Sequence, residues 1–266
     1  PAILWNDGRT AAEVDYLNET IGRERLSAAT ANIAFAGFTA PKLLWMKKHE
    51  PELFARIAKI MLPKDYINYV LTGVHATEPS DAAGTLLYDV EHGCWSEEML
   101  RIVGVTEGQM PRLFASYAPI GTLLPEVAAR LGLPAETVVA AGAGAAAVGT
   151  GTVGEGACNI SIGTSGTIFI TSEKFGVDPH NALHAFAHAD GNYHLMGVML
   201  SAASCNQWLM DKVLGAEDYA AEQEGIVEER LGRNPVFFLP YLMGERSPIN
   251  DTDARAAFIG MSLDTE

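Results

Sequence analysis

Apolar and polar positions along this chain follow a helical period first and a strand period later, and the switch divides the sequence. Pro1 to Trp5 reads as a strand, and Asp7 then stands where a helix cap belongs, ahead of apolar residues at helical spacing through about Ile21. Thr39-Ala-Pro-Lys42 opens a second helix carrying Leu43, Leu44 and Trp45, Pro51 starts a third, and Pro63 opens a fourth that Gly73 ends. Thr85–Val90 predicts a strand, Trp95–Val103 a helix with Ser96 near its cap, and Leu124–Leu131 a short helix before Pro134. From Val138 the chain becomes Gly/Ala-rich with β-branched segments. They predict a strand at Val138–Ala141, a small-residue helix near Ala145–Val148 and two strands flanking Gly163–Gly166. Tyr193–Leu200 is strand-like, helices are predicted over 202–214 and 217–231, and Val236–Leu242 and Ala256–Ile259 predict strands. The compositional shift sets a boundary near residue 137, giving domains 1–137 and 138–266. No Pro/Ser/Gly linker marks it, and no internal repeat or low-complexity tract is present.

Composition narrows the classes. With 266 residues, 48% of them apolar, the chain can bury a sizeable core. Its net charge of −15 argues against nucleic acid or an anionic membrane surface as partner. Apolar runs such as Val236–Leu242 are too short to span a bilayer, and the opening residues read as a strand rather than a basic leader, so a cytoplasmic location is expected. Cys94, Cys158 and Cys205 lie far apart without CxxC spacing, which suggests neither a disulfide framework nor a zinc site.

The candidate chemistry centres on Asn159–Ile170, a strand, a Gly163-Thr164-Ser165-Gly166 turn and a second strand. Glycines without Cβ let a backbone approach an anion, and the Thr164 and Ser165 hydroxyls add donors, so the turn suits a phosphate. An ordinary glycine-containing β-turn is the competing reading. Ala140–Gly151 resembles a strand running into a helix N-terminus through small residues. That arrangement suits an anion or close packing, and it satisfies neither GxGxxG nor a Walker motif. His184 and His188 share one face of a strand-like segment, but no Glu lies between them and no metal is assigned. Gly244–Arg255 holds three carboxylates and two arginines, for which mutual ion pairing is favoured over substrate binding.

Seven blocks carry a resemblance. Pro1-Ala-Ile-Leu-Trp-Asn-Asp-Gly-Arg9, Gly37-Phe-Thr-Ala-Pro-Lys-Leu-Leu-Trp45, Leu62-Pro-Lys-Asp-Tyr66, Ser80-Asp-Ala-Ala-Gly-Thr85, Ser161-Ile-Gly-Thr-Ser-Gly166, Met199-Leu-Ser-Ala-Ala-Ser-Cys205 and Phe238-Leu-Pro-Tyr-Leu-Met-Gly-Glu-Arg246 occur in one order. In that order and spacing the chain resembles the xylulokinase branch of the FGGY family of carbohydrate kinases along essentially its whole length. The resemblance implies an α/β fold of actin-hexokinase type, with two domains around a cleft, sugar on the first and ATP with Mg2+ on the second. It implies phosphoryl transfer to a pentulose, D-xylulose at O5 foremost, within xylose metabolism, and a closure that keeps water from competing as acceptor. A small-molecule sugar and ATP are then the partners, and a homodimer is left open.

By the same resemblance Gly163, Thr164, Ser165, Ala202 and Asn206 are nucleotide-binding candidates, and Asp7, Gly37 and Phe38 lie on the sugar side. For Asp7 the competing reading is a helix cap ion-paired to Arg9. The family carries an Asp-Asn-Ala-Ala run directly after the Gly-rich strand, and its Asp is the general base. Here Gly144 runs straight into Ala145, so no catalytic residue is assigned. The polypeptide is accordingly expected to be longer than the chain as written, with residues missing between Gly144 and Ala145 and at both ends. The rival class is a non-catalytic actin-like module that binds a nucleotide or sugar as a regulator. A kinase for another ketose is the neighbouring alternative.

Overall fold

A computed structural model describes residues 2–4, 7–143, 151–263 and 265. The Gly144–Ala145 junction and the small-residue helix near 145–148 lie outside the described residues. The opening strand lies partly outside them, and Ala2–Leu4 join no strand among them. The chain divides into two units, one of Pro1–Asn159 with Phe169–Met196 and one of Ile160–Ile168 with Gly197–Glu266.

The first unit begins with Asp7, whose carboxylate accepts the Arg9 amide and caps a 3-10 turn, Gly8–Thr10. Ala11–Asp15, a π-helical stretch Tyr16–Gly22 and Arg23–Thr30 carry the helical course onward. Sequence reading ended this helix near Ile21. The helical course does break there, at Gly22 with φ 102°, and a separate helix, Arg23–Thr30, then buries Leu26 and Ala29. Proline at the first helical position and glycine after the last delimit Pro63–Thr72, where Gly73 at φ 74° takes the left-handed conformation that side chains resist. Leu17, Leu26, Leu86 and Met99 are wholly excluded from solvent. Burying a side chain of this size is worth about 1.5–3 kcal/mol.

The strands, in order, are β1 Ala76–Thr77, β2 Tyr88–Asp89, β3 Cys94–Trp95, β4 Arg112–Leu113, β5 Pro119–Thr122, β6 Val138–Ala140, β7 Cys158–Ile162, β8 Gly166–Ser172, β9 His184–Ala187, β10 Tyr193–Met199, β11 Phe237–Leu239 and β12 Ala257–Ile259. β7-β8-β10-β9 form a four-stranded sheet, and the other strands pair in twos. The strand predicted over Thr85–Val90 shrinks to β2. Thr85 turns instead, donating its amide and hydroxyl to Ala82 O, and Leu86 at φ 60° leaves the extended region. Trp95 is likewise not helical. It pairs with Tyr88 and donates its indole N–H to Pro111 O, and Ser96 then caps a helix that starts at Glu97.

β9 lies at the edge of the sheet, paired antiparallel with β10. Its outer side is met by Asn32, whose Nδ2 donates to Ala185 O at 2.8 Å and whose Oδ1 accepts the Ala185 amide at 3.2 Å. His184 stacks on Phe186, whereas His188 donates from Nε2 to Thr152 O at 2.9 Å. His188 Nδ1 is then the acceptor for His194 Nδ1, 3.2 Å away. The two histidines of the HAFAH segment therefore face different partners.

In the second unit the helix predicted over 202–214 runs as Ala203–Trp208 and a π-helical continuation, Leu209–Leu214. The one predicted over 217–231 breaks into Tyr219–Gln223 and a 3-10 turn, Glu228–Arg230, because Gly225 and the β-branched pair Ile226-Val227 interrupt it. The strand predicted over Val236–Leu242 is confined to β11. Trp208 stacks on Phe238, which stacks on Phe258 with ring centroids 4.6 Å apart.

Burial, and then the neighbouring His188, push the His194 pKa down from 6.5 to about 4. The unfolded chain thus takes up this proton first, so the contribution is complete above about pH 6.5 and declines as pH falls toward 4. Its ceiling is of order 3 kcal/mol. Chemical denaturation between pH 7 and 4.5 should show a steeper acid loss for the native chain than for His194→Gln. Parallel pH profiles would contradict the assignment.

Candidate functional site

The Gly163–Ser165 turn joins β7 to β8 and docks on the start of the helix Ala203–Trp208. Ala202 N donates to Thr164 O and Ala203 N to Gly163 O, each at 2.9 Å, and the Ser204 hydroxyl reaches Thr164 O at the same distance. A helix start leaves its first amides without internal acceptors, and here the turn carbonyls supply them. Gly163 N closes the turn onto Ser165 O. The amides and hydroxyls of Thr164 and Ser165 find no acceptor among the described residues, with Thr164 exposed and Ser165 half-buried. Carbonyls point to the helix and donors are left over.

The two glycines, which sequence reasoning gave one role, do different things. A Cβ on Gly163 would meet nothing nearer than Ser165 O at 3.7 Å, so the backbone there is open to approach. On Gly166 it would lie 3.1 Å from the Ala202 Cβ and 3.2 Å from the Met199 Cγ, so that glycine serves packing. Ala202 is drawn to Thr164 by its amide. Asn206 sits one helical turn on, exposed, its side-chain amide without a partner among the described residues. Gly163, Thr164, Ser165, Ala202 and Asn206 all fall in the second unit.

Sequence reasoning missed the residue behind this turn. Glu245 is 2% exposed, and its Oε1 accepts the Leu200 amide at 3.0 Å and the Arg246 amide at 2.7 Å. Its loop was expected to hold itself by ion pairs, and in the structure the Glu245 and Asp251 carboxylates accept backbone amides. Asp251 Oδ1 accepts from Asp253 N and Ala254 N, while Arg255 donates to Thr252 O and Ala254 O. Burial lowers the Arg246 guanidinium to about 10. Glutamate beside arginine in sequence gave no signal that the carboxylate would turn inward.

The sugar-side candidates belong to the first unit. Asp7 caps its 3-10 turn and forms an ion pair with Arg9 at 2.7 Å, and the hydrogen bond from the Arg9 side chain is the main reason its pKa is lowered. Arg9 lies 5.0 Å over the Trp45 ring, and Thr10 donates to Ala36 O, so Asp7 and the Gly37–Trp45 block are brought together. Gly37 O accepts from Lys42 Nζ at 3.0 Å. Phe38 is buried among Phe35, His184 and Phe186.

A second charged cluster escaped sequence reasoning. Lys64 Nζ lies 3.1 Å from Asp65 Oδ1, 3.5 Å from Asp81 Oδ2 and 4.0 Å from Glu78 Oε1, and it donates to Ala141 O at 3.1 Å. Asn68 donates to the same carbonyl, and Gly142 N donates to Ser116 O, so the end of β6 is clamped where the Gly-rich segment departs. Burial raises the Asp81 carboxyl despite the pull of Lys64. Lys64, Asp65 and Asp81 stood in two motif blocks, but neither block's spacing indicated that they converge. Among the described residues no group of three or more His, Cys, Asp or Glu side chains could hold a metal, and no helix is long and apolar enough to cross a membrane.

Comparison with known proteins gives one consistent result. Residues 1–150 match the family model for the FGGY family of carbohydrate kinases, N-terminal domain, and residues 158–266 the C-terminal domain. The chain is 44% identical to the xylulose kinase of Escherichia coli K12 and 43% identical to that of Klebsiella pneumoniae, in each case over 98% of its own length and 54% of the relative's. The crystal structure of a xyloylose kinase from Brucella ovis superimposes with a TM-score of 0.90 at 42% identity, covering 99% of this chain and 54% of that one. The chain spans about half the length of the relatives it matches.

Removing the ammonium from among buried carboxylates leaves uncompensated charge. Lys64→Met should therefore destabilise the first unit by about 3–5 kcal/mol in chemical denaturation, and Asp81→Asn in the same background should restore part of the loss. A Lys64→Met variant of native stability would show that the cluster is held by its backbone contacts alone.

Proposed function

We infer that this chain, which belongs to the FGGY family of carbohydrate kinases, carries sugar- and nucleotide-binding parts of an enzyme that phosphorylates a pentulose, D-xylulose at O5 foremost, with ATP as donor. The observation that carries the substrate assignment is the near-complete coverage of this chain by relatives named xylulose kinase. The nucleotide assignment is supported by the turn. The Gly163 and Thr164 carbonyls are occupied by helix amides and the leftover donors lie on an accessible loop, which suits phosphate oxygens. In this reading the Thr164 and Ser165 amides and hydroxyls hold the phosphates in line, Ala202 lines the nucleotide at the helix start, and Asn206 reaches it one turn on. Mg2+ would come bound to the nucleotide and supply charge neutralisation for the phosphates that the Thr164 and Ser165 donors hold. Asp7 and the Gly37–Phe38 block would border the sugar, Phe38 by packing behind it. The ATP it would consume puts the reaction in the cytoplasm.

A second reading has its own observation. The sequence has no carboxylate between Gly144 and Ala145, where the family's general base belongs, and this favours a regulator that binds ligand without turnover. Coupled measurement of ADP release from the intact protein separates the two. D-xylulose should drive release well above glycerol or an aldopentose, and absence of any sugar-dependent release would favour the regulator.

Thr164→Ala removes a donor to a charged group, worth roughly 1.5–3 kcal/mol, so catalytic efficiency with ATP should fall about 10- to 150-fold while sugar binding holds. Gly163→Val should fold normally, because the space over Gly163 is open, yet lose ATP use because a branched side chain would occupy the anion's approach. If both variants keep native ATP dependence, the phosphate assignment of the turn is wrong.

A further inference from the structure

We propose that Glu245 is a positioning residue that fixes the Gly163–Ser165 turn for nucleotide phosphate, an inference that rests on the reading of that turn given above. The contact path is short and lies within the second unit. Glu245 Oε1 accepts the Leu200 amide at 3.0 Å, and two residues on, Ala202 N donates to Thr164 O at 2.9 Å. Leu200 follows the last residue of β10, so its amide has left the sheet ladder and needs an acceptor from elsewhere. A carboxylate is the stronger kind of acceptor, and here it is 2% exposed, where water does not compete.

The carboxylate is itself held in place. Glu245 N donates to Asp251 O at 2.8 Å, Asp251 N returns to Glu245 O at 2.9 Å, and Ser247 N donates to Val198 O at 2.9 Å. Gly244 permits the bend. It sits at φ 78°, and a Cβ there would fall 2.7 Å from Thr252 O. Glu245 Oε2 takes no hydrogen bond among the described residues, so the side chain's hydrogen bonds go to main-chain amides. With Leu200 pinned from below and Ala202 to Ser204 docked on the turn carbonyls, the Thr164 and Ser165 donors are presented in one orientation. Releasing Leu200 would let the helix start shift and take the turn with it.

The test is ADP titration of the intact protein, alongside kcat and the KM for ATP and for sugar. Glu245→Asp keeps the charge but withdraws the acceptor by one methylene, and should weaken ADP binding about 10- to 100-fold while leaving sugar binding in place. Glu245→Gln keeps an oxygen in reach but gives up its charge, and should weaken ADP binding less than Glu245→Asp does, by about 3- to 10-fold. A Gln variant as impaired as the Asp variant overturns the acceptor role. If Glu245→Asp binds ADP normally while Thr164→Ala does not, the inference about Glu245 falls and the reading of the turn stands. If neither loses affinity, the reading of the turn falls. Should Glu245→Asp not fold, amide exchange on the native protein decides the matter. ADP should slow exchange at Leu200 together with Thr164 and Ser165, and an unaltered Leu200 amide overturns the proposal.

Discussion

The first amides of a helix must find acceptors outside it, and in the second unit those acceptors are the backbone carbonyls of Gly163 and Thr164. This exchange joins segments some forty residues apart and decides the polarity of the turn. A loop that presented its carbonyls outward would repel an anion. By committing them to Ala202, Ala203 and Ser204, the turn presents only donors. The end of β10, the inward carboxylate of Glu245 and the packing of Gly166 against Ala202 and Met199 are all arranged around that commitment.

The same arrangement reconciles the overall charge with the proposed ligand. A chain of net charge −15 that takes a polyphosphate must overcome its own long-range repulsion. Oriented amides and hydroxyls act within hydrogen-bonding distance and add no formal charge, so they work locally against the field of the whole. In the first unit the opposite device appears, a lysine placed among buried carboxylates to make them tolerable.

The parts legible in the sequence were those governed by local rules. Pro63 and Gly73 bounded their helix, Ser96 capped the one that starts at Glu97, and the strand-turn-strand around Gly163 needed only glycine and alternation. The family itself was legible in the seven blocks. What failed depended on distant partners. Trp95 left its predicted helix to pair with Tyr88, and Leu86 took a left-handed conformation that no propensity favours. Glu245 read as a surface ion-pair residue because its amide partner at Leu200 lies 45 positions away in sequence. The Lys64 cluster was hidden for the same reason, since Asp81 and Ala141 reach it only through the fold.

Asn32 is where helical and sheet layers of the first unit meet, and its side-chain amide imitates a strand. By giving Ala185 both a donor and an acceptor, it satisfies backbone groups at the edge of β9 that lie buried in the core, where water cannot reach them. One side chain thus does for a buried sheet edge what a further strand would do. Its loss would leave a donor and an acceptor of Ala185 buried and unpaired, a cost borne by the stability of the first unit.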